Sequence, residues 1–166
     1  MQFDLKSFFK EGRTPYHVTL ALDLSEWDWP GYQVLQPVCG DFTATPTLEG
    51  VTMECSFSAQ VQAECARCLA PVEQQYTVER HWDLRERDLE GLDEELPVDE
   101  KGVMDLAQLV FEELMLEVPP VLLCSPDCQG LCPVCGKRKA DGCTCVQPEE
   151  DAPVDERLAI LKQLLN

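Results

Sequence analysis

Residues 51–84 read VTMECSFSAQVQAECARCLAPVEQQYTVERHWDL, and two alternating runs meet within them at a turn. In the first run Val51, Met53, Cys55, Phe57, Ala59, Val61, Ala63 and Cys65 share one side, against Thr52, Glu54, Ser56, Ser58, Gln60, Gln62 and Glu64 on the other. Successive side chains of a strand point to opposite faces, so a period of two means one long strand, or two joined at a bend, with one wet side. The second run sets Tyr76, Val78, Trp82 and Leu84 against Thr77, Glu79, His81 and Asp83. With CARCLAP as the turn, the pattern predicts an antiparallel hairpin that carries Cys65 and Cys68 at its tip.

Those two cysteines belong to a larger set. Eight of the ten in the chain fall into four close pairs, Cys65/Cys68, Cys124/Cys128, Cys132/Cys135 and Cys143/Cys145. Eight thiolates complete two four-sulfur sites with none left over, which points to two structural zinc ions. In LCPVCGKRKADGCTC the two residues between Cys132 and Cys135 let both sulfurs face one tetrahedral ion, and Gly136 supplies backbone freedom where the chain folds back under it. Cys143 and Cys145, one residue apart, project to the same side of an extended segment and would close that site. Cys65, Cys68, Cys124 and Cys128 would then meet from distant parts of the chain and staple its C-terminal part to its N-terminal part.

Eight ligands divide into two fours in many ways, and sequence proximity is the argument for this division. Disulfides and free core thiols are the alternatives to metal, and iron–sulfur ligation is chemically open although these spacings match no ferredoxin pattern. Cys55, in phase with the apolar side, reads as a buried thiol, and Cys39 stands alone. A structural zinc contributes on the order of 10 kcal/mol to folding, so Cys135→Ser is expected to unfold the C-terminal lobe.

Outward from the hairpin, residues 17–24 alternate with Val18, Leu20, Leu22 and Leu24 on one side, a half-buried strand. Gly31, Pro37 and Gly40 punctuate the following stretch into short strands and turns. On the other flank a helix is predicted over residues 105–118. Asp105 would cap it and Gln108 would complete a capping box, with Leu106, Leu109, Val110, Leu114 and Glu117 along one stripe and Phe111, Met115 and Val118 widening it. Glu112 and Glu113 mark its exposed side, and Pro119-Pro120 stops it. The last residues, DERLAILKQLLN, place Leu158, Leu161, Leu164 and Leu165 at helical spacing. The fold class is therefore α+β: an antiparallel sheet with one buried helix over residues 1–122, a zinc-stabilised cysteine-rich lobe over 123–147, and an acidic linker with a short C-terminal helix over 148–166.

At 166 residues the chain has room for one ordinary domain with a small metal-held appendage. Its start shows no run resembling a signal peptide and no segment approaches a membrane-spanning length, so a cytoplasmic location is expected, where thiols stay reduced. A net charge of −18, with carboxylates concentrated in residues 83–100 and 149–156, repels a bare phosphate backbone and attracts a basic partner. Against that background Arg67 and the cluster Lys137-Arg138-Lys139 sit beside the cysteine knuckles, as candidate contacts to RNA or to a protein partner. His17 and His81 read as surface histidines. No glycine-rich phosphate loop and no nucleophile with a paired base is found, and the clustered cysteines are used up as ligands, which argues against an enzyme.

Taken in order, CARCL, ELMLEVPPVLLC, CSPDCQGLCPVCG and the closing CTC with DERLAILKQLL resemble the YceD family of bacterial and plastid proteins, over roughly residues 54–166. The first fifty residues match only in being strand-like. The resemblance implies a role in biogenesis of the large ribosomal subunit, in accumulation of its large ribosomal RNA, and the family's genes commonly neighbour that of a small zinc-ribbon protein of that subunit. Cys65 and Cys68 match the family's most widespread pair; Cys132, Cys135, Cys143 and Cys145 match a C-terminal group found in part of it. Where family members often read Asp-Pro-Arg-Leu, this chain has Asp155-Glu156-Arg157-Leu158. The expected partner is a ribosomal protein or a large-subunit precursor particle. A zinc-thiolate redox switch is the alternative reading.

Overall fold

The structure is a computed structural model, and it describes residues 1–85, 87 and 96–145. The expected C-terminal helix with Leu158, Leu161, Leu164 and Leu165, the linker before it, the acidic run 149–156 and half of the acidic run 83–100 lie outside the described residues.

The alternating runs are two strands of fifteen residues, β5 (Gly50–Glu64) and β6 (Pro71–Arg85), by the numbering in chain order used below. They pair antiparallel along their whole length, from Gly50 opposite Arg85 to Glu64 opposite Pro71. The period of two does what it should: Val51, Met53, Cys55, Phe57, Ala59 and Val61 are all buried.

On its other edge β5 is long enough to hold two strands end to end. β4 (Val38–Pro46) pairs with residues 51–58 and β3 (Tyr32–Val34) with residues 61–63. β2 (Tyr16–Leu22) continues the sheet outside β4, with Leu20 and Leu22 buried and His17 and Thr19 on the wet face. The stretch expected to hold only short strands and turns thus includes a nine-residue strand, because Gly40 and the flanking Val38, Phe42 and Ala44 keep the two-residue period across the turn signals.

A second layer covers the apolar face. Helix α2 (Leu106–Glu117) turns Leu106, Leu109, Val110 and Leu114 inward. It buries one stripe rather than its whole surface, since Met115 and Leu116 are exposed. Trp27 and Trp29, from the β2–β3 connection, close over Phe111 at ring-centroid distances of 4.8 and 4.6 Å. At the N-terminus, β1 (Gln2–Asp4) and helix α1 (Leu5–Glu11) precede β2, and β1 pairs with β7 (Val103–Asp105) just before α2. Phe3 of β1 lies 5.3 Å from Phe42, which anchors this small ribbon on the main sheet.

Two details of α2 differ from the sequence reading. Asp105 caps the helix by accepting from the Ala107 N–H, but Gln108 donates to Glu112 one turn on, so there is no capping box. Glu113 is not on the exposed side. Its side chain is 13% exposed, and Arg80 Nε donates to its Oε2 at 2.7 Å while Arg80 Nη2 donates to Glu117 at 3.1 Å. Arg80 occupies an inward position of β6, opposite Cys55, and the two carboxylates of α2 supply the compensation that a cation there requires.

Candidate metal centres

Strands β5 and β6 are joined by residues 65–70, and this connection builds the first site. The Cys65 N–H donates to the Ala70 carbonyl at 2.7 Å and the Leu69 N–H to the Cys65 carbonyl at 2.9 Å, folding the turn so that Cys65 and Cys68 face the same point. Both are buried. After α2, Pro119 and Pro120 end the helix and the chain runs back along the hairpin tip, where the Ala66 N–H donates to the Leu122 carbonyl at 2.9 Å. That contact delivers Cys124 and Cys128. Cys65 Sγ lies 3.7 Å from Cys128 Sγ and Cys68 Sγ lies 3.6 Å from Cys124 Sγ, and all four sulfurs fall within 4.8 Å of one another.

Cys132, Cys135, Cys143 and Cys145 make a second cluster within the same limit, with Cys135 and Cys143 sulfurs 3.5 Å apart. Its knuckle closes through Gly136 N–H to Cys132 O at 2.9 Å and Cys132 N–H to Lys137 O at 2.7 Å. A short 3-10 turn, Lys139–Asp141, then leads the chain back to Cys143. This cluster is the more open one: Cys132 alone is buried and Cys135 and Cys145 are exposed, whereas the first cluster has two buried members and one exposed, Cys124.

The sulfur separations decide between the chemistries open to clustered cysteines. A disulfide needs about 2.0 Å, so these pairs are not disulfides. A tetrahedral ion with sulfur ligands at about 2.3 Å sets its sulfurs about 3.8 Å apart, close to the distances found. The two clusters can therefore each hold a metal ion.

Electrostatics inside each cluster point the same way. Backbone N–H donors, that of Cys124 foremost, pull the Cys65 thiol down to about 6, while crowding by the Cys68 and Cys128 thiols pushes Cys124 up to about 12. The second cluster repeats this, with Cys132 drawn down to about 6 by the Cys135 and Val134 N–H groups and Cys145 pushed up to about 12 by Cys143 and Cys135. One thiol of each set ionises easily and another resists because its neighbours are like it. A cation among the four would remove that resistance.

The two clusters are held together by residues 130–132. The Leu131 N–H donates to the Arg67 carbonyl at 3.2 Å, and the Lys139 N–H donates to the Gly130 carbonyl at 3.0 Å. Gly130 adopts φ of 75°, and a Cβ there would sit 3.1 Å from the Arg67 carbonyl oxygen, so the approach suits glycine. Arg67 Nη1 also donates to the Cys128 carbonyl at 2.9 Å. As a result Arg67, from the hairpin, and the Lys137-Arg138-Lys139 segment, from the second knuckle, flank one strip of backbone at one end of the molecule.

Of the remaining expectations, Cys55 is buried with its thiol pushed up to about 12, and Cys39 is exposed. His17 and His81 lie on the wet face of the sheet, His17 3.1 Å from Asp41 and His81 3.2 Å from Asp83, apart from either cluster. The sequence reading missed Leu69, which takes a φ of 58°. The signal was available: Leu69 follows Cys68 as Gly136 follows Cys135.

No helix among the described residues is long and apolar enough to cross a membrane. The sequence profile of YceD, described as large ribosomal RNA subunit accumulation protein YceD, matches residues 53–165. An uncharacterized protein of Mycobacterium bovis is 36% identical over 101 residues, covering 58% of this chain and 48% of the relative. Uncharacterized proteins from two strains of Mycobacterium tuberculosis match to the same extent. The chain thus spans about half the length of the curated relatives it matches. No solved structure matches it.

Proposed function

The chain belongs to the YceD family, and from that premise we propose that it acts in biogenesis of the large ribosomal subunit as a non-catalytic factor that supports accumulation of the large ribosomal RNA. The observation that carries the mechanism is the pair of four-cysteine clusters, one closing on the hairpin tip and one bonded to it through residues 130–132. Zinc is the ion that suits four thiolates in a closed tetrahedral set, and two zinc ions would lock residues 124–145 against the hairpin as one rigid scaffold. With all four positions of each ion taken by protein sulfur, none is left for water or substrate, which is the arrangement of a structural rather than a catalytic zinc. The scaffold holds a ribosomal protein or an element of precursor ribosomal RNA during maturation in the cytoplasm. Arg67, Lys137, Arg138 and Lys139 are its contact residues.

Deleting the gene and measuring large-subunit ribosomal RNA against small-subunit RNA tests this reading. The ratio falls on deletion, is restored by the parent chain, and is not restored by Cys128→Ser; an unchanged ratio on deletion would refute it. A second reading is favoured by one observation, the exposure of Cys135 and Cys145. In it the outer site is a redox switch, its thiolates pairing into disulfides and releasing zinc as peroxide is reduced to water. Zinc release at low peroxide supports that reading, and retention supports a purely structural role.

A further inference from the structure

Cys65-Ala-Arg-Cys68 and Cys132-Pro-Val-Cys135 are the same knuckle twice, and the residue after each takes a left-handed conformation. φ is 71° at Gly136 and 58° at Leu69. Glycine adopts this region freely, whereas a branched side chain brings its Cβ against the following carbonyl and is a genuine outlier there. Among the described residues Leu69 is the one non-glycine residue with positive φ. Packing does not account for it, because the side chain is 55% exposed. The knuckle backbone sets this conformation, through the Leu69 N–H to Cys65 carbonyl bond that Gly136 repeats with Cys132, but it does not call for leucine; an exposed apolar side chain kept where glycine would fit without strain points to something outside the chain that the side chain meets.

The surroundings of Leu69 indicate what that is. Arg67 lies two residues before it, and the bonds through residues 130–132 bring Lys137, Arg138 and Lys139 to the same end. Val134, in the second knuckle, is 57% exposed. In a chain of net charge −18, this end gathers four cations, beside the carboxylates of Asp127 and Asp141, so the positive charge is local to Arg67 and the Lys137-Arg138-Lys139 segment. Cations beside exposed aliphatic groups match single-stranded RNA, which offers phosphates to the first and unstacked base faces and ribose to the second. A-form duplex offers phosphates but keeps its base faces stacked, and zinc knuckles are among the modules that read single strands.

We propose that the two knuckles form one binding surface for single-stranded RNA, in which Arg67, Lys137, Arg138 and Lys139 meet phosphates and Leu69 and Val134 meet bases. This deepens the assembly-factor reading and rests on it. The acidic remainder of the chain acts as a selectivity device, because it repels any RNA that does not arrive at this end.

The test titrates the full, zinc-loaded chain with a short labelled oligoribonucleotide of mixed sequence, and separately with a duplex of the same length. The single strand binds more tightly than the duplex, and its affinity falls with added salt. Leu69→Asn is the informative variant, since asparagine tolerates the left-handed region: it keeps or raises the melting temperature yet lowers affinity by about tenfold. Alanine at Lys137, Arg138 and Lys139 together weakens binding and flattens its salt dependence. Parent-like affinity in Leu69→Asn, equal binding of duplex and single strand, or no binding by the folded zinc-loaded chain would each overturn the proposal. If gene deletion lowers large-subunit RNA while the chain binds no RNA, this surface is wrong and the assembly role stands. RNA binding without any effect of deletion means the reverse: the surface stands and the assembly role is wrong.

Discussion

Replacing Cys128 by serine should cost the whole body of the protein far more stability than replacing Cys145, although each change removes one ligand from a four-cysteine cluster. The reason is loop length. Cys68 and Cys124, whose sulfurs are 3.6 Å apart, are separated by 56 residues in sequence, and the first cluster ties the β5–β6 hairpin to the segment after α2. A cross-link over that span restricts the unfolded chain by about 4 kcal/mol on the loop-entropy model. Cys135 and Cys143 are separated by 8 residues, and every ligand of the second cluster lies beyond the sheet and both helices. A loop of that size is worth about 2.5 kcal/mol, and what it stabilises is local. At about 2–4 °C per kcal/mol for a chain of this size, Cys128→Ser should lower the main calorimetric transition by roughly 8–16 °C. Cys145→Ser should leave that transition within about 3 °C of the parent and add a separate loss of protection in residues 132–145, read by hydrogen exchange. Equal shifts, or a larger shift for Cys145→Ser, would refute the assignment of the first cluster as the long-range staple.

Other expectations follow from the same geometry. Native, metal-loaded protein treated with iodoacetamide should be alkylated at Cys39 and not at Cys55, whose thiol is buried and held up to about 12; mass spectrometry of peptides reads this directly. Arg80→Leu should destabilise by about 3 kcal/mol in urea unfolding, because it leaves Glu113 beneath the helix without its cation. Asp83 and Glu54 raise the folded-state pKa of His81 above its unfolded value, so its contribution is fully present below the unfolded pKa and is lost as pH rises through the folded one. A small gain in melting temperature on going from pH 8 toward pH 6 should therefore shrink in His81→Asn.

The hairpin and the division of the cysteines were the readable parts, for physical reasons. β5 has fifteen residues of alternation, which only a half-buried strand produces, and the division into 65/68/124/128 and 132/135/143/145 is that of the clusters, in which the second set is local in sequence and the first is the long-range remainder. Arg80 was not readable. It interrupts the apolar phase of β6, and the residues that make this tolerable lie on another element, Glu113 looking exposed by helical period and Glu117 falling on the apolar stripe without showing what it meets. Helix α1 escaped because its seven residues follow a three-residue strand, too short for either period to register, although Asp4 caps it through the Ser7 N–H. Strand order depends on β5 being long enough to seat β3 and β4 along one edge, a tertiary fact with no local pattern. At the site, the strained turn at Leu69 is set by the knuckle backbone, and its one signal in the sequence was positional, the place after Cys68 that Gly136 holds after Cys135, because a leucine by itself does not suggest a left-handed turn.

The proposed account depends most directly on what the eight sulfurs hold. Elemental analysis combined with X-ray absorption at the metal edge of the purified chain addresses this in one preparation. The account predicts two zinc ions per chain, each with a shell of four sulfurs at about 2.3 Å and no nitrogen or oxygen. Fewer than two ions, a shell containing a lighter ligand, or iron in place of zinc would contradict it.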